Sequence, residues 1–296
     1  METKAMVGIF VVTLVIVAAV AFYAGRATAP VQVVEVAPTA PRTIKIGGTV
    51  AASGRFEGMC KPFIKFMEEW ANVINERGGI YVEEYGTRLP VEVVVYDDKS
   101  DPSTAVTYYE RLITVDKVDV LIGPFSSLIT YSVLAVNEKY GVPMVMASAN
   151  SPKLYEAPLN WTVGVLDIAP KWSTHYFNLL KDLVKQGEVE TIAFIVSDDP
   201  HNLDVYKGAK EMAEEIGLKV VYEETFTRGT TDFSAAIIKL KELDPDIIYV
   251  AAFSDISIPF MKQAREYDLN PREYHLDHVT LPVIEALGKG ADYITT

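Results

Sequence analysis

Residues 118–147 read VDVLIGPFSSLITYSVLAVNEKYGVPMVMA, and the reading of this stretch decides the fold. The run at 118–122 (VDVLI) is short, β-branched and apolar on both faces, as a buried parallel strand should be. Gly123-Pro124-Phe125-Ser126-Ser127 leads straight into a stretch at 127–140 with apolar residues at helical spacing. A second strand-like run follows at 142–147 (VPMVMA). Strand, helix and strand in this order imply a right-handed crossover and a parallel sheet covered by helices.

The same alternation extends in both directions. Further strands are expected at 43–49, 90–96, 160–165, 191–197, 218–226, 246–252 and 273–276, with helices at 58–77, 102–116, 171–186, 204–216, 232–243 and 255–267. In 58–77, Phe63, Phe66, Met67, Trp70, Val73 and Ile74 form one apolar stripe, closed by Gly78-Gly79. The helix at 232–243 has a start signal in Thr231-Asp232 and stops before Asp244-Pro245. So many strands could close into a barrel. Two open sheets are favoured because 164–171 (GVLDIAPK) reads as a crossover midway, after which the same order and spacing restart. The expectation is an α/β protein of two lobes, 43–165 and 166–276, each an open parallel sheet with helices on both faces.

The front of the chain lies apart from this fold. Met6 to Gly25 is an uncharged apolar run long enough to cross about 30 Å of hydrocarbon as a helix. An uncleaved anchor over 1–26 is favoured, with a cleaved secretory signal ending near Ala27-Thr28-Ala29 as the alternative. Residues 27–42, with three prolines, read as an extended linker. About 250 residues then remain for two domains of common size. A net charge of −13 argues against a nucleic-acid partner. Cys60 is the single cysteine, which excludes an internal disulfide and a thiolate zinc site, and it is expected to be a buried small residue.

In open parallel sheets, ligands sit at the carboxyl ends of the strands, so the residues just after each strand are the candidates. The loop 50–58 is built of small residues and displays Phe56. Ser126 and Ser127 stand at a helix start, and Ala149 and Asn150 follow 142–147, together offering hydroxyls, an amide and backbone N–H groups to a carboxylate. Plain N-capping is the competing reading for the two serines. The second half contributes Asp198, Asp199, His201 and Asn202 after one strand, Phe253 and Asp255 after another, and Asp277 and His278 after the last. An anion socket in one lobe facing acids and aromatics in the other suits a zwitterion.

No enzyme or cofactor signature appears. The glycines at 47, 48 and 54 miss the G-x-G-x-x-G spacing, and neither a Walker-type loop nor a G-x-S-x-G elbow occurs. No metal is expected. His275 and Asp277 would share a strand face while His278 would not, and no second ligand cluster lies nearby in sequence.

The chain resembles the branched-chain amino-acid and amide group of ABC-transporter solute-binding proteins, the Leu/Ile/Val-binding family with the type I periplasmic fold. The resemblance is carried, in order, by Ile46-Gly47 with Ser53-Gly54, by 74–80 (INERGGI), by 96–102 (YDDKSDP), by 122–127 (IGPFSS), by Gly141-Val142-Pro143, by Asp232-Phe233-Ser234 and by Gln263-Ala264-Arg265. It implies a receptor outside the cytoplasm that closes on an amino acid or small amide and delivers it to an ABC permease, with no cofactor and no catalysis. It implies that Ser127, Ala149 and Asn150 hold the solute's carboxylate, that Phe56 and Phe253 cover it, and that Asp277 takes its ammonium group. His201 falls where the family often has a tyrosine. An Asp at 277 is one methylene shorter than the commoner Glu, and Asn150 stands where the family often has Thr or Ser. Family members run about a hundred residues further. The stretch 277–296 is therefore expected to begin an incomplete return to lobe 1. A sensor of the same fold and an inactive remnant are the alternatives.

Overall fold

A computed structural model of the chain describes residues 42–156 and 158–296. The candidate span Met6–Gly25 and all but the last residue of the expected linker lie outside these residues. Among the described residues no helix is long and apolar enough to cross a membrane.

The strands of the first sheet are β1 (Ile44–Val50), β4 (Val91–Asp97), β5 (Val120–Ile122), β6 (Met144–Met146) and β7 (Thr162–Gly164), in the order β4-β1-β5-β6-β7. Between β1 and β4 a small hairpin, β2 (Ile80–Val82) with β3 (Thr87–Leu89), is a feature the sequence did not announce. The β5–β6 and β6–β7 pairs are parallel. Helix α1 (Glu57–Glu76) follows β1, α2 (Pro102–Arg111) follows β4 and α3 (Ser127–Tyr140) follows β5.

Contacts gather into two compact units, residues 42–46 with 67–93 and residues 47–66 with 94–296. In the smaller unit the Asn75 amide holds both backbone groups of Val91, donating to its carbonyl at 2.8 Å and accepting from its N–H at 2.7 Å. Along α1, Cys60 and Ala71 are buried, whereas Phe63, Phe66, Trp70 and Val73 are exposed. Most of the apolar stripe read along this helix is therefore exposed, and the buried side chains are small ones. Burial, and secondarily the charge of Asp98, pushes the Cys60 thiol up to about 12, so it is inert at neutral pH.

The second sheet joins β8 (Thr191–Ser197), β9 (Lys219–Phe226), β10 (Ile247–Ala251), β11 (Glu273–Leu276) and β12 (Ile294–Thr295), all parallel, in the order β12-β11-β10-β8-β9. Side chains alternate across it as the pleat requires. Ile192, Phe194, Val196, Ile247 and Tyr249 pack with Phe177 and Leu180 of α4 (Thr174–Lys185) and Val205 and Ala209 of α5 (Pro200–Ile216). Ala193, Ile195, Ile248 and Val250 pack on the other face with Ile237 of α6 (Ser234–Leu243) and Phe260 of α7 (Ser254–Glu266). Burying a side chain of this size contributes about 1.5–3 kcal/mol, which makes this sheet interior a stabilising core.

The stretch after 276, expected to start back toward lobe 1, belongs to this second sheet. Val283 and Leu287, spaced four apart on α8 (Leu281–Leu287), are buried with Leu276 and Ile248, and Ile294 pairs with Tyr274. The helix expected from 204 starts at Pro200, because the Asp199 side chain caps it and proline suits the first helical position. His201 and Asn202 thus stand on a helix and not in a loop.

Candidate functional site

The loop after β1 is held by two carboxylates and a serine. Asp97 accepts hydrogen bonds from the N–H groups of Ala52 and Ser53 (3.0 and 3.2 Å), the Ser53 hydroxyl (2.7 Å) and Lys99 N–H (2.8 Å). Partial burial pushes its carboxyl up, but these donors outweigh that and hold it below its ordinary value. Beneath it Asp98 accepts from the Thr49 hydroxyl at 2.7 Å, and burial leaves its carboxyl raised. Ser100 donates to the Ser53 carbonyl at 2.9 Å and accepts from Phe56 N–H at 3.0 Å. Gly54 makes the turn possible: its φ is +81°, and a Cβ there would lie 2.5 Å from the Lys99 carbonyl oxygen. The loop so fixed presents Arg55 and Phe56.

Arg55 reaches across to the second lobe. Its Nε donates to Asp255 Oδ2 at 2.7 Å and its Nη1 to Asp199 Oδ2 at 2.9 Å. Asp199 caps α5 and Asp255 lies in the first turn of α7, so both carboxylates sit at helix N-termini, where negative charge is favoured. The Asp199 side chain is fully buried, and that burial raises its carboxyl more than Arg55 lowers it. The guanidinium lies over the ring of Phe56, 4.8 Å from its centroid. Phe56, Phe125 and Phe253 pack as a triangle with centroids 5.0, 5.4 and 5.5 Å apart.

A chain of polar contacts runs beside these rings. Ser127 Oγ accepts from the N–H groups of Asn150 and Ser151, each at 3.2 Å. The Asn150 amide donates to the Asp167 carbonyl at 2.8 Å and offers its oxygen to His201 Nδ1 at 2.7 Å. Asp277 accepts from Ala252 N–H at 3.0 Å and from the Asn202 amide at 3.1 Å. His278 Nδ1 lies 3.1 Å from Asp277 Oδ1 without the alignment of a hydrogen bond. The His201 ring is stacked on Phe253 (5.7 Å) and meets Trp172 and His278 edge-on. Its exposure is 5%, and its Nε2 has no partner; Ser126 Oγ and Asn202 Oδ1 are likewise buried without one. Burial first, then neighbouring His278, lowers His201 to about 4 against the opposing pull of Asp277, so the ring is neutral at pH 7.

Six of the seven residues singled out in the sequence are joined by these contacts. Ser127 touches Asn150, which holds His201; His201 stacks on Phe253, which packs on Phe56; and the His201 ring meets His278, itself against Asp277. Ala149, the seventh, is buried beside Asn150. Ser126 makes no side-chain cap, so plain capping is not its role here. Arg55, Phe125 and Trp172 were not assigned a part by the sequence, and Asn202 was a candidate only by its position after a strand. Arg55 left a usable signal, a cation in one post-strand loop where others carry Asp199, Asp255 and Asp277. Two carboxylates, Asp199 and Asp255, take the guanidinium of Arg55, while Asp277 is bonded to Ala252 N–H and Asn202 instead.

The profile of the periplasmic binding protein family matches residues 43–296. An amino acid binding protein of Pseudomonas aeruginosa is 24% identical over 224 residues, covering 76% of this chain and 58% of its own length. The Leu/Ile/Val-binding protein homolog 7 of Brucella suis is 25% identical over 240 residues, covering 79% of this chain and 58% of its own length. The chain thus spans 58% of the length of these curated relatives. The crystal structure of the branched-chain amino acid transporter substrate binding protein of Streptococcus pneumoniae, in complex with isoleucine, superposes with a TM-score of 0.68 at 23% identity. That match covers 83% of this chain and 68% of that one. The two-lobed α/β fold with two five-stranded sheets is therefore shared with solved binding proteins.

Proposed function

The chain belongs to the periplasmic binding protein family, and we propose that it captures an amino acid or a small amide outside the cytoplasm and hands it to the permease of an ABC importer. The observation that carries this reading is the contact chain Ser127–Asn150–His201, with Asp277 and the phenylalanine triangle beside it. Buried polar groups without partners cost about 1–3 kcal/mol each, and a solute that satisfies them recovers that cost. An aliphatic or aromatic side chain suits the rings, and an ammonium group suits the carboxylate of Asp277.

The carboxylate end has a specific requirement. Ser127 Oγ already accepts the N–H groups of Asn150 and Ser151. A solute carboxylate would take over those two donors, and the Ser127 hydroxyl would turn to donate to it as a third. Phe56 and Phe253 pack against each other, so a solute entering between them must part the rings, and its contacts with both lobes must offset that opening. An N-terminal membrane anchor over Met6–Gly25 would keep such a receptor beside its permease. Calorimetric titration of the full chain with leucine, isoleucine and valine, each beside its N-acetyl derivative, tests the reading. Saturable heat from a free amino acid, absent for the N-acetyl form, supports it; no heat from any of them counts against it.

A further inference from the structure

We infer that His201, Asp277 and His278 form a binding site for one divalent cation of the zinc and cobalt class. One ligand atom from each of the three lies within 4.8 Å of the other two. On a continuous strand His278 would face away from Asp277, because successive residues face opposite ways. But β11 ends at Leu276, so Asp277 and His278 lie beyond the pleat, and the first turn of α5 supplies the third group.

The hydrogen bonds around the cluster leave its lone pairs pointing nowhere else. Because the Asn150 amide nitrogen is committed to the Asp167 carbonyl, its oxygen faces His201, and His201 Nδ1 must carry the proton. The Nε2 lone pair is then bare, and Nε2 is buried without a partner on a side chain 95% removed from solvent. A ring nitrogen ligating while the other donates to a fixed carbonyl-type oxygen is the usual arrangement of metal-bound histidine. Asp277 accepts one hydrogen bond on each oxygen, from Ala252 N–H and from Asn202, and each oxygen keeps a further lone pair. Bonds of 2.0–2.1 Å in a tetrahedron set ligand atoms about 3.3 Å apart. Asp277 Oδ1 and His278 Nδ1 are already 3.1 Å apart. The widest separation has to close by about 1.5 Å, within reach of side-chain rotation. Two imidazoles and one carboxylate suit zinc, cobalt or nickel, whereas magnesium and calcium ask for six or more oxygens.

The inference shares Asp277 and His201 with the proposed solute site but does not rest on that reading. The test is made without solute: the full chain, stripped by a chelator, is titrated with Co2+ and followed by its visible absorption. The expected result is one equivalent bound, with the intense bands of a four- or five-coordinate ion, displaced by one equivalent of Zn2+. Asp277→Asn and His278→Phe, each checked for folding by circular dichroism, should weaken binding at least tenfold, and the exposed His175→Gln should not change it. Absence of a band at one equivalent in the unaltered chain, or unchanged affinity in a folded His278→Phe, would overturn it.

Discussion

His201 Nδ1 lies 2.7 Å from Asn150 Oδ1, so the first turn of a helix on the second sheet is bonded to the loop that ends the fourth strand of the parallel order on the first. The bond is buried at both ends, and Asn150 is held from its other side by the Asp167 carbonyl. Each partner's polar atoms depend on the other for satisfaction.

Asn150→Ala should therefore cost more than the loss of one contact. It strands His201 Nδ1–H, and a buried orphan costs about 1–3 kcal/mol on top of the lost bond to the Asp167 carbonyl, whose residue is exposed to water. A urea unfolding midpoint displaced to correspond to roughly 1–3 kcal/mol is expected, with an unchanged slope. A loss under 0.5 kcal/mol would show that water replaces both bonds.

Arg55 joins the two lobes through Asp199 and Asp255. Its side chain is 18% exposed while that of Asp199 is fully buried, so removing the guanidinium leaves a buried carboxylate without its partner. Arg55→Met should destabilise by about 3 kcal/mol, and Asp199→Asn in the same chain should recover part of it. A double-mutant cycle should give a coupling of about 1–3 kcal/mol. Additive effects would mean the pair is held apart in solution.

Asp246 accepts three hydrogen bonds on Oδ2, from Glu190 N–H, Thr191 N–H and the Thr191 hydroxyl, at 2.9, 3.0 and 2.9 Å. Partial burial raises its carboxyl, but these donors prevail and hold it below the ordinary value. A carboxyl lowered in the folded state contributes stability that is present above its unfolded value and lost as pH falls through the folded one. Asp246→Asn should therefore be less stable than the parent by about 1–2 kcal/mol at pH 7. The gap should stay constant down to about pH 5 and shrink below about pH 4. Paired urea titrations across that range read it, and a gap that widens on acidification would contradict the assignment.

The alternation of strand and helix was legible because buried parallel strands are short apolar runs, and β8 and β10 lie within a residue of their expected bounds. The β2–β3 hairpin was not, since two strands joined without an α-helix between them fall outside that alternation. Helix α2 starts at Pro102, at its expected bound, and α5 starts in the same way at Pro200 behind Asp199, four residues before its expected bound. That places His201 and Asn202 on the helix turn that aims them at Asn150 and Asp277. The stripe of α1 misled, because periodicity shows that a helix has an apolar face but not whether that face is covered. For the candidate site, position after strands located the residues. Their bonding, above all Arg55 to the two aspartates, is tertiary and left only the trace of one cation among acids.

The central claim is that the Asp277 region takes the ammonium group of an amino acid. It is tested most directly by thermal unfolding of the full chain and of Asp277→Asn across the amino acids and their amides. A solute at a hundred times its dissociation constant should add about 2.7 kcal/mol of stability. The account predicts such a rise in melting temperature for a restricted set of amino acids in the parent chain, and its loss in Asp277→Asn with the solute-free melt retained. An equal rise in both chains, or none in the parent at millimolar solute, would contradict it.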